Sequence, residues 1–206
     1  MKNPEKFWDR ISKNYDNSSK KGSGKPSKPL LATKPYLSTN GTLLDFGCAT
    51  GKNALELSEF VKNIQGIDIS EKMIEIARKK ANEQNIENIT FTKTDIFDSQ
   101  LVTNSFDTII SFNVLHLLEN LDLVIHRIYE LLKPSGFFIT NTPCLGEKNN
   151  ILRALILIGS KLNLMPEVKM LKSSDLVTLL VKNNFEVLEN RKLIVSDTNN
   201  YIVAKK

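Results

Sequence analysis

At 206 residues the chain fits one domain, and a domain of that size buries roughly 70% of its unfolded surface, enough to enclose a cofactor pocket. It has no run of about 18 apolar residues, its opening MKNPEKFWDR lacks the apolar centre of a signal peptide, and Cys48 and Cys144 are too few for a disulfide framework. A membrane span and a disulfide-stapled secreted fold are thereby excluded, a cytoplasmic protein is expected, and the net charge of +5 points to an anionic partner only where it is concentrated.

That concentration is N-terminal. Residues 1–38 carry nine Lys/Arg against three Asp/Glu, whereas the remainder is nearly balanced at 19 against 20. The segment begins with FWDRISKNYD, in which Phe7, Trp8, Ile11 and Tyr15 recur at helical spacing and form an apolar face. It continues into SSKKGSGKPSKP, Ser18 to Pro29, whose composition is that of a flexible tether. The expected division is residues 1–40 as a helical lid with a flexible basic segment, and residues 41–206 as the main domain. The basic arm is read as a solvated linker, with steering of an anionic substrate or nucleic acid as the alternative.

Thr42 to Phe46 (TLLDF) reads as a strand buried on both faces, interrupted by Asp45. Gly47, Ala49 and Gly51 then remove side chains where the backbone must turn and admit a close approach, and helical periodicity resumes from Asn53 to Phe60. Strand, small-residue loop and helix N-terminus together describe a nucleotide-type binding turn. A dinucleotide fingerprint would need glycine where Lys52 stands, and a phosphate-cradling P-loop would need Gly-Lys-Ser/Thr after four intervening residues rather than Gly-Lys-Asn after three.

Ile64 to Asp68 reads as the second strand, with Ser70 as N-cap of a helix over 71–84. Asp68 lies 21 residues after Gly47, where a carboxylate can accept both ribose hydroxyls of a nucleoside. Asn88 to Lys93 is a third strand ending before Asp95, which can accept from an adenine amino group while Ile96 offers its backbone N–H. A turn residue is the alternative for Asp95. Phe106 to Phe112 is a fourth strand, Leu121 to Leu132 a helix stopped by Pro134 and Gly136, and Phe137 to Asn141 a fifth strand. His116, placed after the fourth strand, is the candidate general base, a structural histidine being the alternative.

Beyond them lies an apolar insertion over residues 147–171, including NNILRALILIGSKLNLM, too short and too charged to span a bilayer. It is expected as a buried packing helix, with a lid over an apolar substrate, or a dimer or membrane-surface face, as the alternatives. A helix over 174–182 and the runs Phe185 to Val195 and Tyr201 to Ala204 close the chain, the last two as a hairpin. Cysteine and histidine are too sparse for a metal site.

The pattern acid, x, Gly, x, Gly/Ala, x, Gly at Asp45, Gly47, Ala49 and Gly51 resembles motif I of class I S-adenosylmethionine-dependent methyltransferases. GIDIS, TKTDIF, FDTIISFNVLHLL, LLKPSGFF and KNNFEVLENRKL extend the resemblance over Trp8 to Lys205, in particular to the small-molecule and quinone-biosynthesis group. It implies an α/β Rossmann-like fold with a seven-stranded, mostly parallel sheet in the order 3-2-1-4-5-7-6, the last strand antiparallel, and helices on both faces. It implies S-adenosyl-L-methionine as cofactor, released as S-adenosyl-L-homocysteine, and methyl transfer to a small molecule by in-line displacement. By position it assigns to the cofactor Asp45, Phe46, Gly47, Cys48, Ala49 and Gly51 of the loop, Asp68, Ile69 and Met73, Asp95 and Ile96, Asn113 beside the sulfonium, and Tyr15 over the methionine end. The alternatives are a methyltransferase acting on RNA or protein through the basic arm, and a non-catalytic cofactor-binding subunit.

Overall fold

The computed structural model of the protein describes residues 4–19, 27–147, 159, 166–194 and 198–206, with side chains for all of these except 17–19. The run Asn149 to Met165, expected as an apolar insertion, lies outside the described residues apart from Gly159, as does most of the basic tether.

Seven strands form one sheet: β1 (Thr42–Phe46), β2 (Asn63–Asp68), β3 (Ile89–Lys93), β4 (Phe106–Phe112), β5 (Leu132–Pro143), β6 (Glu186–Arg191) and β7 (Asn199–Lys205). Their order is β3-β2-β1-β4-β5-β7-β6, as the resemblance implies. The strands from β3 across to β5 run parallel, and β7 lies antiparallel to both β5 and β6. Among the described residues the α-helices given by range are α1 (Pro4–Ser19), α2 (Lys28–Thr33), α3 (Lys52–Leu57), α4 (Glu71–Glu83), α5 (Leu121–Leu131) and α6 (Ser173–Lys182). Among the described residues, no helix is long and apolar enough to cross a membrane.

Period-two alternation divides the core between the two faces of the sheet. Leu44, Ile109, Phe138 and Ile202 join the cluster under α5 and α6, whereas their neighbours Leu43, Ile110, Ile139 and Val203 join the cluster holding Ala54, Ile74 and Ala77 of α3 and α4. The central strands are therefore buried on both sides, which is why they read as nearly unbroken apolar runs. Chain order reverses between β1 and β4, so the crevice at their carboxyl ends is the natural ligand site of such a sheet.

Several boundaries differ from the sequence expectation, among them β6, which ends at Arg191 rather than Val195, and two others have a clear physical reason. The tether was expected to reach Pro29 inside a lid unit ending at residue 40, but α2 begins at Lys28 and packs on the core, burying Leu30 and Thr33. Pro29 in the first turn is compatible with a helix start, because the amide it lacks would have had no helical partner. Thr33 Oγ1 lies 3.2 Å from the buried Tyr201 hydroxyl, fixing α2 to β7. Strand β5 is longer than Phe137 to Asn141 because Leu132 already pairs with Phe106 across an irregularity in register.

Candidate active site

The loop leaving β1 is shaped by three positive backbone angles, at Gly47, Ala49 and Gly51. Gly47 has φ +75°, its amide donates to the Ile67 carbonyl at 2.8 Å, and a Cβ there would lie 2.3 Å from Val114 Cγ2. Gly51 has φ +77°, and a Cβ there would lie 2.7 Å from Phe91 Cζ and 2.9 Å from Ala77 Cβ. Small residues at these positions are thus required both by conformation and by space. Ala49, also at positive φ, turns its amide toward Asp68 Oδ2 at 3.0 Å. Asp68 Oδ1 accepts the Ser70 amide at 2.9 Å, so one carboxylate holds the loops after β1 and β2 together. Each oxygen accepts one amide and keeps capacity for another donor. Burial raises the Asp68 pKa against the lowering pull of these amides.

Above these loops lies a cavity of about 410 Å³, within the size range of small-ligand sites. Tyr15, Phe46, Gly47, Ala49, Asp68, Ile69, Met73 and Asn113 line it, so eight of the expected cofactor residues come together. Tyr15 and Trp8 arrive on α1 as an edge-to-face pair with ring centres 6.4 Å apart. Burial first, and then the Asp68 charge, raises the Tyr15 pKa and keeps its phenol protonated.

The other expected residues stand outside the cavity wall. Cys48 is buried behind the loop, where burial pushes its thiol pKa well up. Gly51 packs on α4 and β3. Asp45 is 1% exposed with no hydrogen-bond partner for either oxygen, and burial with the nearby Asp68 charge raises its pKa to about 7. Asp95 is exposed and turns back to accept the Phe97 amide at 2.8 Å, the turn role weighed against adenine contact, while Ile96 belongs to the core. Thr94 takes the cavity position expected for them. His116 also stands behind the wall: its turn directs Leu117 and Leu118 into the cavity, and its buried Nδ1 has no partner. Burial lowers its pKa to about 4.

Sequence reasoning missed Glu119, Pro166, Glu167 and Lys169, which complete the wall. They are gathered because the Lys169 amide donates to the His116 carbonyl at 2.7 Å and the Lys169 ammonium to the Glu119 carbonyl. No local pattern marks that pairing of distant segments.

The fold and this crevice define a Rossmann-like α/β protein with a nucleoside-type site at the switch point of the sheet. Residues 37–192 match the methyltransferase domain family, and the chain belongs to that family. It is 33% identical over 129 residues to the phosphoethanolamine N-methyltransferase of Plasmodium falciparum, a match spanning 59% of this chain and 48% of the relative. Its matches likewise cover less than half the length of two other curated relatives, a phosphoethanolamine N-methyltransferase of Caenorhabditis elegans and a probable S-adenosylmethionine-dependent methyltransferase of Saccharomyces cerevisiae. Among solved structures, the cyclase SpnF superposes with a TM-score of 0.77 at 16% identity, over 98% of this chain and 94% of that one. A Haemonchus contortus phosphoethanolamine methyltransferase, solved with phosphomonomethylethanolamine and S-adenosylhomocysteine, superposes with a TM-score of 0.71 at 19% identity, over 87% and 52%. These two likenesses establish the shared fold.

Proposed function

We propose that the protein is an S-adenosylmethionine-dependent methyltransferase acting on a small molecule. The observation that carries this reading is Asp68, a carboxylate with acceptor capacity to spare in the wall of a cavity built on the motif I turn. The residues fit the cofactor: Asp68 for the ribose hydroxyls, the close backbone at Gly47 and Ala49 and the Tyr15 and Asn113 side chains for the methionine part, and Ile69, Met73 and Thr94 for the base. Bound there, S-adenosylmethionine supplies an activated methyl group on a positively charged sulfur.

The chain's own work is then binding, orientation and exclusion of water. Trp8, Val114, Leu117, Leu118 and Pro166 give the cavity apolar walls suited to an acceptor with an apolar body. Holding acceptor and donor in register contributes as much as about 7–11 kcal/mol to such reactions. His116 does not line the cavity, so the base role expected for it has no access to an acceptor bound there, and its neutral, buried imidazole fits the structural alternative. Both cysteines are free and buried, in keeping with work in the cytoplasm.

Incubating the purified full chain with methyl-labelled S-adenosylmethionine and fractionated metabolite extract tests the reading. Label is expected in a small-molecule fraction. Label appearing only in RNA or protein would overturn the acceptor assignment, and no transfer to any fraction, with the cofactor still bound, would favour a non-catalytic binder.

A further inference from the structure

Helix α1 presents two stripes, one residue out of register. Pro4, Trp8, Ile11 and Tyr15 follow one another at helical spacing, and three of them line the cavity. Glu5, Asp9, Ser12 and Asp16 repeat the same spacing on the adjoining face and are turned onto the domain. That second stripe docks through polar contacts. Lys93 Nζ meets Glu5 at 2.7 Å, Ser70 Oγ donates to Asp9 Oδ1 at 2.6 Å, and the Lys72 amide reaches the same oxygen at 3.2 Å. At the other end Thr50 Oγ1 donates to Asp16 Oδ1 at 2.7 Å, and Lys80 Nζ lies 2.6 Å from Asp16 Oδ2. Ser12 is the only described α1 residue that is fully buried, and its hydroxyl bonds within the helix to the Asp9 carbonyl.

The two hydroxyls that α1 engages belong to the two loops that Asp68 holds. Asp68 Oδ1 takes the amide of Ser70, whose hydroxyl goes to Asp9, and Asp68 Oδ2 takes the amide of Ala49, whose neighbour Thr50 goes to Asp16. The path from Asp68 through Ser70 and Asp9, along α1 to Asp16, and back through Thr50 and Ala49 is closed.

We propose that Asp9 and Asp16 are positioning residues that dock α1 on the two loops held by Asp68, so that closure of the Trp8 and Tyr15 wall and the geometry of the cofactor site are set together. This rests on the functional reading above, since it assigns the Asp68 loops to the cofactor. Neither aspartate touches the cavity. Their effect on ligand binding is transmitted through Ser70 and Thr50. If the ring acts as a unit, releasing either end frees the helix, and the second release adds little.

Titration calorimetry with S-adenosylhomocysteine on the full chain tests this, with hydrogen exchange over residues 7–15 read in parallel. Asp9→Ala and Asp16→Ala are each expected to weaken binding by about five- to tenfold, as partly exposed charged hydrogen bonds permit, with the core melting temperature nearly unchanged. The double variant is expected to lose little more than the weaker single one. Ligand-induced protection over 7–15 should fall in all three, and Asp16→Asn should recover part of both readouts. If Asp16→Ala folds poorly, Thr50→Val removes the same contact from the loop side. Unchanged affinity and unchanged protection in the variants, with wild type binding normally, would overturn the positioning role alone. Absence of S-adenosylhomocysteine binding by wild type would overturn the functional reading and this inference with it.

Discussion

Asp68 Oδ2 accepts the Ala49 amide at 3.0 Å, tying the end of β2 to the turn that leaves β1. One carboxylate therefore shapes the loop and faces the cavity. Asp68→Ala is expected to reduce affinity for S-adenosylhomocysteine by about 10- to 150-fold, the range of one charged hydrogen bond. Calorimetric titration reads this directly, and unchanged affinity would remove Asp68 from the site.

Asp45 is ionised at a cost. Its folded pKa of about 7 stands above the ordinary 3.8 because the carboxyl is buried without a partner and faces the charge of Asp68. The folded state therefore holds this proton more tightly, and its stabilising effect, complete below pH 3.8, is lost as pH rises through about 7. Asp45→Asn removes that loss. Its melting temperature relative to wild type should climb between pH 5 and pH 8 by several degrees, and a difference independent of pH would contradict this assignment.

His116 has the opposite sign. With its pKa lowered from 6.5 to about 4 by burial, the unfolded chain binds the proton more readily, so stability present above pH 6.5 is lost as pH falls toward 4. Nitrogen-detected NMR titration should find a neutral imidazole at pH 6 in the wild-type protein. A midpoint near 6.5 would place the ring in solvent.

Gly51→Ala sets a larger side chain at φ +77° against Phe91 and Ala77. Left-handed backbone costs an ordinary residue roughly 1–2 kcal/mol, and overpacking typically adds about 1–3 kcal/mol. A drop in melting temperature of several degrees is expected from circular dichroism.

Much of this site is readable in the residues because its backbone is short-range. Thr42 to Gly51 encodes strand, turn and helix start within ten positions, and Asp68 falls at the fixed offset that a single crossover helix allows. The hairpin of β6 and β7 is likewise local. What was not legible depends on side-chain direction or on distant pairing. Asp95 sits at the right strand end, yet its carboxylate turns to the Phe97 amide. Lys169 reaches the cavity only because the backbone of His116 receives it. Helix α2 was hidden because Ser27, Lys28 and Pro29 at its start read as part of a tether until Leu30 and Thr33 find the core. The acid stripe of α1 is visible as spacing, but its meaning comes from Ser70 and Thr50, which lie far along the chain.

The cavity over Asp68 is read as an S-adenosylmethionine site. Calorimetric titration of the purified full chain with S-adenosylhomocysteine, and separately with NAD, tests it most directly. Saturable binding of S-adenosylhomocysteine at one site per chain is expected, with no comparable heat from NAD. Tighter binding of NAD, or no binding of S-adenosylhomocysteine by a folded sample, would contradict it.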